Sequence, residues 1–246
     1  MTSVLKGEGI TKELGRGAAM VRALKGVSLT LEPGELTLLM GPSGSGKTTL
    51  LSILGCIMSP TSGTLTVAGD ATEGLSPEQL ADLRRPHVGF VFQSHNLFPT
   101  LTAEENVRIA LDVRGEKGSE AKVRAQRALQ QVGLGHRLKS YPGNMSGGEQ
   151  QRVAVARAIV GSPSVLLADE PTAALDSENG VAVMQLLSDI AKDKSRAVLA
   201  VTHDPRTIPF ANRILRIEDG MIVGEERRAE GVETVHELAR TRKRKA

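Results

Sequence analysis

Short apolar runs, each followed by polar or glycine-rich residues, recur along the chain. The runs at Leu36–Met40, 165–168 and 198–202 carry no charged residue, which is typical of strands buried in a parallel sheet. From residue 165 to 217 strand and helix patterns alternate, and Asp219-Gly220 predicts a hairpin turn. Three further strand candidates predict a small antiparallel layer: 4–10, 23–31 and 64–68.

Signals for helix starts are concentrated in the middle of the chain. The N-cap candidates are Ser76, which is followed by proline, Thr102, which has a glutamate three residues later, and Ser119. The helices that they predict end near residues 85, 113 and 133. The whole pattern predicts one α/β domain of four parts: core segments 1–92 and 161–228, an inserted α-helical subdomain at 93–160, and a polar, basic tail at 229–246.

The loop between the strand Leu36–Met40 and an apolar helix at 49–54 matches G-x-x-x-x-G-K-[ST] in full. Its glycines let backbone N–H groups turn towards phosphate oxygens, and the helix N-terminus adds partial positive charge. Lys47 is placed to reach the β- and γ-phosphates of a nucleotide, and the Thr48 hydroxyl to bind Mg²⁺. The predicted phosphate-binding residues are Gly41, Pro42, Ser43, Gly44, Ser45, Gly46, Lys47, Thr48 and Thr49.

Two carboxylates, Asp169 and Glu170, follow the strand at 165–168. In a parallel sheet the ligand lies outside the carboxyl ends of the strands, so Asp169 is expected to face Mg²⁺, directly or through water. Glu170 points differently and can hold a water in line with the γ-phosphate. Adjacent carboxylates can thus divide metal binding and general-base catalysis between them.

A second helix start has an unusual composition. Ser146 is a good N-cap and Glu149 its capping-box partner, but Gly147 and Gly148 weaken the first turn. Glycines at these positions fit a helix that approaches an anion closely. Because one nucleotide cannot easily contact both helix starts of one chain, we expect a head-to-tail dimer in which this helix completes the partner's site.

His203 follows the strand at 198–202, on the ligand side of the predicted sheet. A lone histidine is more often structural than catalytic. Its position at the end of a third core strand favours a catalytic role.

Taken together, the motifs resemble those of ATP-binding-cassette ATPases over residues 4–223. The resemblance implies a P-loop NTPase (RecA-like) fold, ATP and Mg²⁺ as cofactors, and ATP hydrolysis coupled to membrane transport. In chain order the motifs are the phosphate loop, Gln93 after an apolar strand, Ser146-Gly147-Gly148, Asp169-Glu170, Ala174-Leu175-Asp176 and His203.

The resemblance also implies roles for single residues. Gln93 would contact the metal and link the γ-phosphate to the transport partner, Asp176 would lie at the dimer seam, and His203 would sense the γ-phosphate. Strings in the phosphate loop, at 96–102 and at 167–172 are similar to bacterial ATPases that work with lipoprotein-release, macrolide-efflux and cell-division permeases.

The chain departs from the family pattern at the expected adenine site. The family usually places an aromatic residue shortly after the first strand, but no Trp, Tyr or Phe precedes Phe90. Leu14 occupies the expected position. Adenine is therefore expected to rest on Leu14, Arg16 or Val21.

Large apolar residues follow Gln93, namely Leu97, Phe98 and Leu101. They can pack inside the helical region. By resemblance, this segment borders the groove that receives a cytoplasmic helix of the permease, and an apolar anchor suits such docking. We expect the permease to dock near these three residues.

Composition narrows the class of protein. No apolar run approaches the roughly 20 residues of a membrane helix. Residues 1–10 lack the apolar segment of a secretory signal, and a single cysteine, Cys56, excludes a disulfide framework. We expect a cytoplasmic protein, peripheral on the inner membrane, with the channel supplied by another subunit.

The net charge of +3 arises in the last residues, because positions 240–245 hold five Arg and Lys and the rest of the chain has 26 basic against 28 acidic residues. A near-neutral body predicts no nucleic-acid partner. The tail is either a solvated end or a contact for anionic lipid headgroups. The alternative function is that of a soluble ATPase of the same family acting on DNA or ribosomes. ATPases of that kind typically have long coiled-coil insertions, zinc-binding cysteines or two ATPase units.

Overall fold

The computed structural model describes residues 3–15 and 17–228. In this part of the chain the strands are β1 Leu5–Leu14, β2 Val21–Leu31, β3 Leu36–Met40, β4 Ser62–Val67, β5 Asp70–Ala71, β6 Val88–Val91, β7 Val165–Asp169, β8 Ala197–Thr202, β9 Arg213–Glu218 and β10 Met221–Arg227. The α-helices are α1 Lys47–Leu54, α2 Pro77–His87, α3 Ala103–Asp112, α4 Gly118–Gln131, α5 Gly147–Ile159 and α6 Ser177–Ala191.

The larger sheet has the strand order β10–β9–β3–β8–β7–β6. From β9 to β6 all neighbouring strands are parallel, and β10 returns antiparallel to β9. The predicted turn between these two strands is confirmed, since Asp219 and Gly220 have φ of 46° and 77°, as a type I′ hairpin requires. The carboxyl ends of β3, β6, β7 and β8 therefore share one edge.

Side chains of the central strands alternate between two cores. Leu38 and Leu166 pack on the face covered by α3 to α6, whereas Leu39 and Leu167 pack on the face covered by α1 and the smaller sheet. All four are fully buried. Burial of both faces explains why these strands have apolar runs without polar alternation.

The smaller sheet is antiparallel with the order β2–β1–β4–β5, which confirms the predicted layer. The predicted end of the first strand and the predicted start of the second were wrong. Strands β1 and β2 form a hairpin and stay paired as far as Leu14 and Val21. The register of pairing between β1 and β2 shifts after Gly7 and after Ile10. Beyond these shifts the polar residues that follow Ile10 remain paired with β2. Strand β5, which has two residues, was missed.

Helices α3, α4 and α5 pack on one another, and α5 also packs on β6 and α6. The capping boxes predicted at Thr102 and Ser146 are present, and Ser76 forms one as well. The predicted cap at Ser119 was wrong, because α4 starts one residue earlier without a side-chain cap. Gly118, the first residue of α4, has φ of 84°, a conformation that glycine adopts without strain.

None of the described helices is both long and apolar enough to cross a membrane. The basic tail at 229–246 and Arg16 lie outside the described residues. The bounds of the helical subdomain and of the core segments stay predictions.

Candidate functional site

The loop between β3 and α1 lies tightly against β9 and β2. A Cβ on Gly41 would overlap a carbonyl oxygen of β9, and one on Gly46, whose φ is 96°, would lie 2.7 Å from a carbonyl oxygen of β2. Only glycine fits both positions. Gly46 is also the N-cap of α1 and supplies no side-chain acceptor, so the first-turn N–H groups remain for an external anion.

Lys47 is held inside this loop and is only 8% exposed. Its Nζ donates to the carbonyl oxygens of Gly41 and Pro42, both at 2.7 Å. The Oγ of Ser45 is buried and has no hydrogen-bond partner among the described residues. A buried ammonium and an unpartnered hydroxyl beside free amides are the donors that phosphate oxygens require, so the loop fits a nucleotide phosphate.

Asp169 lies at the end of β7 with Thr48 beside it, and the Thr48 hydroxyl donates to Asp169 Oδ1 at 3.4 Å. Burial raises the pKa of the Asp169 carboxyl above its usual value, an effect opposed by the Thr48 hydrogen bond, increased by the charge of Glu170 and opposed by the charge of Lys47. Among the described residues, no three His, Cys, Asp or Glu side chains lie close enough together to hold a metal ion. A hydroxyl and one carboxylate suit Mg²⁺, which takes few protein ligands and completes its shell with phosphates and water.

Glu170 and His203 are in contact at the same edge of the sheet. The distance between His203 Nδ1 and Glu170 Oε1 is 2.9 Å. Glu170 has φ of 45°, and its N–H donates to the carbonyl of Val201 on β8 at 3.0 Å. The chain thus leaves β7 through a left-handed residue, which turns the carboxylate towards the end of β8.

Gln93 is exposed just beyond the carboxyl end of β6, the neighbour of β7. The segment that follows it is fixed by two residues that the sequence analysis missed. Asn106, fully buried in α3, exchanges hydrogen bonds with the backbone of Phe98 and also donates to Leu101 O at 2.9 Å. Arg157 of α5 donates to two backbone carbonyls at residues 95 and 96.

The start of α5 is ordered by its own side chains. Ser146 Oγ accepts from the Glu149 N–H at 3.2 Å, and the Glu149 carboxylate accepts from the Ser146 N–H and from Arg137 Nε, each at 2.8 Å. These hydrogen bonds hold the pKa of Glu149 below its usual range. Gly147 is exposed, whereas a Cβ on Gly148 would overlap the side chain of Asn179 in α6. Gly148 is therefore required by packing within the chain, a reason that the sequence did not indicate.

Asp176 is the N-cap of α6. Its carboxylate accepts from the Asn179 N–H at 2.8 Å and from Asn179 Nδ2 at 2.7 Å. The backbone hydrogen bond from Asn179 is the largest cause that lowers the pKa of Asp176.

Leu14 and Val21 are cross-strand partners at the end of the first hairpin and are 38% and 63% exposed. Met20 beside them is also exposed and was not predicted. Ala23 on the same strand contacts the phosphate loop through its carbonyl, close to Gly46. The hairpin end thus offers an aliphatic surface near the loop.

A family model described as ABC transporter matches residues 24–173. This chain belongs to the ABC transporter family. Over 223 residues the cassette is 45% identical to the macrolide export ATP-binding/permease protein MacB of Shigella flexneri and 43% identical to MacB of Rhodopseudomonas palustris. Each match covers 91% of this chain and 34% of the relative, so the cassette spans about a third of the length of these curated relatives.

Solved structures agree with the family. The ATP-binding cassette MJ0796, described as dimeric in a post-hydrolysis state with ADP and Pi, has a TM-score of 0.83 and 40% identity, over 92% of this chain and 99% of that one. For CbiO1 of Clostridium perfringens, part of a CbiONQ transporter complex, the TM-score is 0.81 and the identity 27%, over 92% and 89% of the chains. The expectations of an ABC ATPase and of its fold are confirmed.

Proposed function

We propose that this cassette hydrolyses ATP to ADP and phosphate for a membrane transporter of the macrolide-export type. The observation that carries the proposal is that three features lie at one sheet edge: the Lys47 loop, the Thr48–Asp169 pair and the Glu170–His203 pair. The MacB relatives are export proteins by name, which favours membrane transport over action on DNA or ribosomes.

The loop between β3 and α1, together with Lys47, binds the phosphates. The amides at the start of α1 and the buried ammonium surround the β- and γ-phosphates, and Lys47 exchanges a carbonyl contact for a phosphate oxygen. Thr48 and Asp169 would hold Mg²⁺, with Gln93 approaching from β6. When bound, Mg²⁺ neutralises phosphate charge in the transition state. A nearby cation keeps Asp169 ionised despite its burial.

Glu170 acts as the general base. Its Oε1 is held by His203, which leaves Oε2 to accept a proton from water in line with the γ-phosphate. His203 fixes the carboxylate and lies where it can contact the γ-phosphate. The fixed pair needs little reorganisation when the water is deprotonated.

A complete site requires two copies of the cassette. The Ser146 hydroxyl makes its hydrogen bond within its own helix start, and Gly147 beside it is exposed. In a head-to-tail dimer formed on ATP, Ser146, Gly147, Gly148 and Glu149 would complete the partner's nucleotide site, with Asp176 at the seam. The similarity to the MJ0796 cassette, which is described as dimeric, supports the dimer.

The membrane partner is an integral permease, reached from the cytoplasmic face. Phe98 is 47% exposed on a loop that Asn106 fixes, whereas Leu97 packs against the core. A rigid exposed aromatic residue suits an anchor for a short helix. The permease therefore docks near Leu97, Phe98 and Leu101, and the cassette lies peripherally on the inner membrane.

Substitution of Glu170 by Gln tests the chemistry. We expect single-turnover ATP hydrolysis to fall by about 10²–10⁴-fold, because the amide cannot accept the proton. ATP binding should persist, and an ATP-bound dimer should accumulate because the charge that repels the γ-phosphate is removed.

The matched control is Glu120→Gln, an exposed glutamate in the first turn of α4, which should leave turnover unchanged. Parental single-turnover hydrolysis by the Glu170→Gln protein would remove Glu170 from the role of base. Absence of ATP turnover in the parent chain, under conditions where MacB-type cassettes are assayed, would contradict the proposed function itself.

A further inference from the structure

Arg206 forms hydrogen bonds with two segments that border the Glu170–His203 pair, and we call this set of hydrogen bonds the clasp. Its Nε lies 3.0 and 2.9 Å from the two carboxylate oxygens of Asp204, and its Nη2 lies 2.7 Å from Asp204 Oδ2. Its Nη1 donates to Ser177 Oγ at 2.6 Å. One guanidinium thus joins the segment after β8 to the first turn of α6. Only a planar group with several fixed donors makes both contacts at once.

The Asp204 side of the clasp leads directly to the catalytic pair. Asp204 follows His203 in the chain, and its N–H donates to Thr202 Oγ1 at 3.0 Å. Its carboxylate also caps the 3-10 turn Pro205–Phe210 by accepting from the Arg206 N–H at 2.9 Å. The clasp therefore fixes the backbone on which the His203 ring stands.

The Ser177 side leads to the start of α5. Ser177 follows Asp176, whose carboxylate holds the side chain of Asn179. Asn179 in turn lies against Gly148, so closely that no side chain fits there. The first turn of α6 is thus in contact with the second proposed anion-binding helix start.

Apolar packing between α6 and the 3-10 turn is incomplete, although Ile208 and Phe210 pack against the core cluster that contains Val183 and Met184. A partly open pocket of about 90 Å³ lies between α6 and the 3-10 turn, and its lining includes Thr172, Ser177, Met184, Arg206 and Phe210. A cavity lacks the dense contacts that transmit position through a packed core. The hydrogen bonds of Arg206 to Asp204 and Ser177 add a polar connection beside this pocket.

We infer that Arg206 is a positioning residue, which sets the place of the Glu170–His203 pair relative to the first turn of α6 and, through it, to Gly148. The inference rests on the proposed function of Glu170. Arg206 itself touches neither the phosphate loop nor Asp169 among the described contacts. It acts on the rate of hydrolysis and not on the affinity for ATP.

The test compares Arg206→Ala, Arg206→Lys and Ser177→Ala in the full chain. Arg206→Ala should lower kcat for ATP roughly tenfold, since small misplacement of catalytic groups is costly, and leave KM within about twofold. Ser177→Ala and Arg206→Lys should each lower kcat roughly threefold, because lysine retains the Asp204 contact and loses the one to Ser177. Adding Ser177→Ala to Arg206→Ala should change nothing further, since the two residues act as one unit.

Hydrogen exchange provides a readout that does not depend on turnover. Amides of residues 176–180 and 203–207 should exchange faster in Arg206→Ala, with the rest of the chain unchanged. The matched control is Arg85→Ala, which removes another exposed arginine–aspartate pair, on α2, and should leave kcat and exchange unaltered.

Parental kcat in Arg206→Ala would overturn the inference even if exchange rises, because the clasp would then position nothing. A loss of kcat that is additive with Ser177→Ala, or that comes with an equal rise in KM, would overturn it as well. If the parent chain hydrolyses no ATP, the proposed function fails first, and unchanged exchange in Arg206→Ala would show separately that the clasp is not formed.

Discussion

At the scale of single residues, base recognition differs from phosphate recognition. The proposed phosphate site consists of a buried lysine, a glycine loop and a helix start, whereas the hairpin end near that loop offers Leu14, Met20 and Val21. Aliphatic and thioether side chains supply contact area but no hydrogen bonds to the edge of a base. Since the triphosphate is the same in ATP and GTP, the described surface gives little basis for discrimination.

We therefore expect the dissociation constants of ATP and GTP to lie within about tenfold of each other, or ~1.4 kcal/mol. Leu14→Tyr should tighten ATP binding, because stacking on a base is worth about 1–3 kcal/mol in nucleic-acid sites. Calorimetric titration of both nucleotides against the isolated cassette measures both effects. Val223→Tyr, an exposed strand position on β10, is the matched control and should change neither constant.

A preference for ATP of a hundredfold or more would show that adenine has a specific contact elsewhere. Unchanged ATP affinity in Leu14→Tyr would exclude Leu14 as the stacking position.

At the scale of elements, the sequence predicted what local chemistry determines. The capping boxes at Thr102 and Ser146 were predictable because a side chain and a backbone amide three residues apart decide them. The start of α4 was not, since Gly118 sets it through a backbone conformation that leaves no side-chain signal. The predicted site residues at the ends of β3, β7 and β8 lie together because parallel strands share an edge. Asn106 and Arg157 were missed, because their partners are backbone groups of the loop after Gln93, which no side-chain pattern indicates.

The loop between β6 and α3 is the element for which a partner can be tested. Phe98→Ala should reduce recovery of the permease with the cassette, because an exposed aromatic anchor carries much of a docking interaction. The cassette should stay folded, since the loop is held by Asn106 and not by the ring. The measurement is capture of an integral membrane protein from the native host by the tagged cassette.

Leu101→Ala should act in the same direction. Ile57→Ala, an exposed apolar residue after α1, serves as the matched control. Equal recovery of the membrane protein by all three variants would argue against docking at this loop.

At the scale of the whole molecule, one chain holds two helix starts that we propose to bind anions, α1 and α5. Mixing Lys47→Ala and Ser146→Arg chains would give heterodimers with one intact and one doubly damaged site. If sites form between chains, the mixture should bind ATP and dimerise better than either variant alone, by light scattering in a Glu170→Gln background. Ser119→Arg, at the start of α4, replaces Ser146→Arg in the control. An ATP-bound species that stays monomeric would contradict the head-to-tail arrangement.

The left-handed backbone of Glu170 has a consequence for directed evolution of this chain. A non-glycine residue in that conformation costs about 1–2 kcal/mol, and glycine would remove this strain, partly offset by its larger loss of conformational entropy on folding. A library sorted only for resistance to heat would therefore enrich glycine at position 170 and discard the proposed base. Selection for thermal stability would favour glycine at position 170, whereas selection for ATP turnover would favour glutamate. Engineering of this cassette for stability therefore has to keep position 170 fixed.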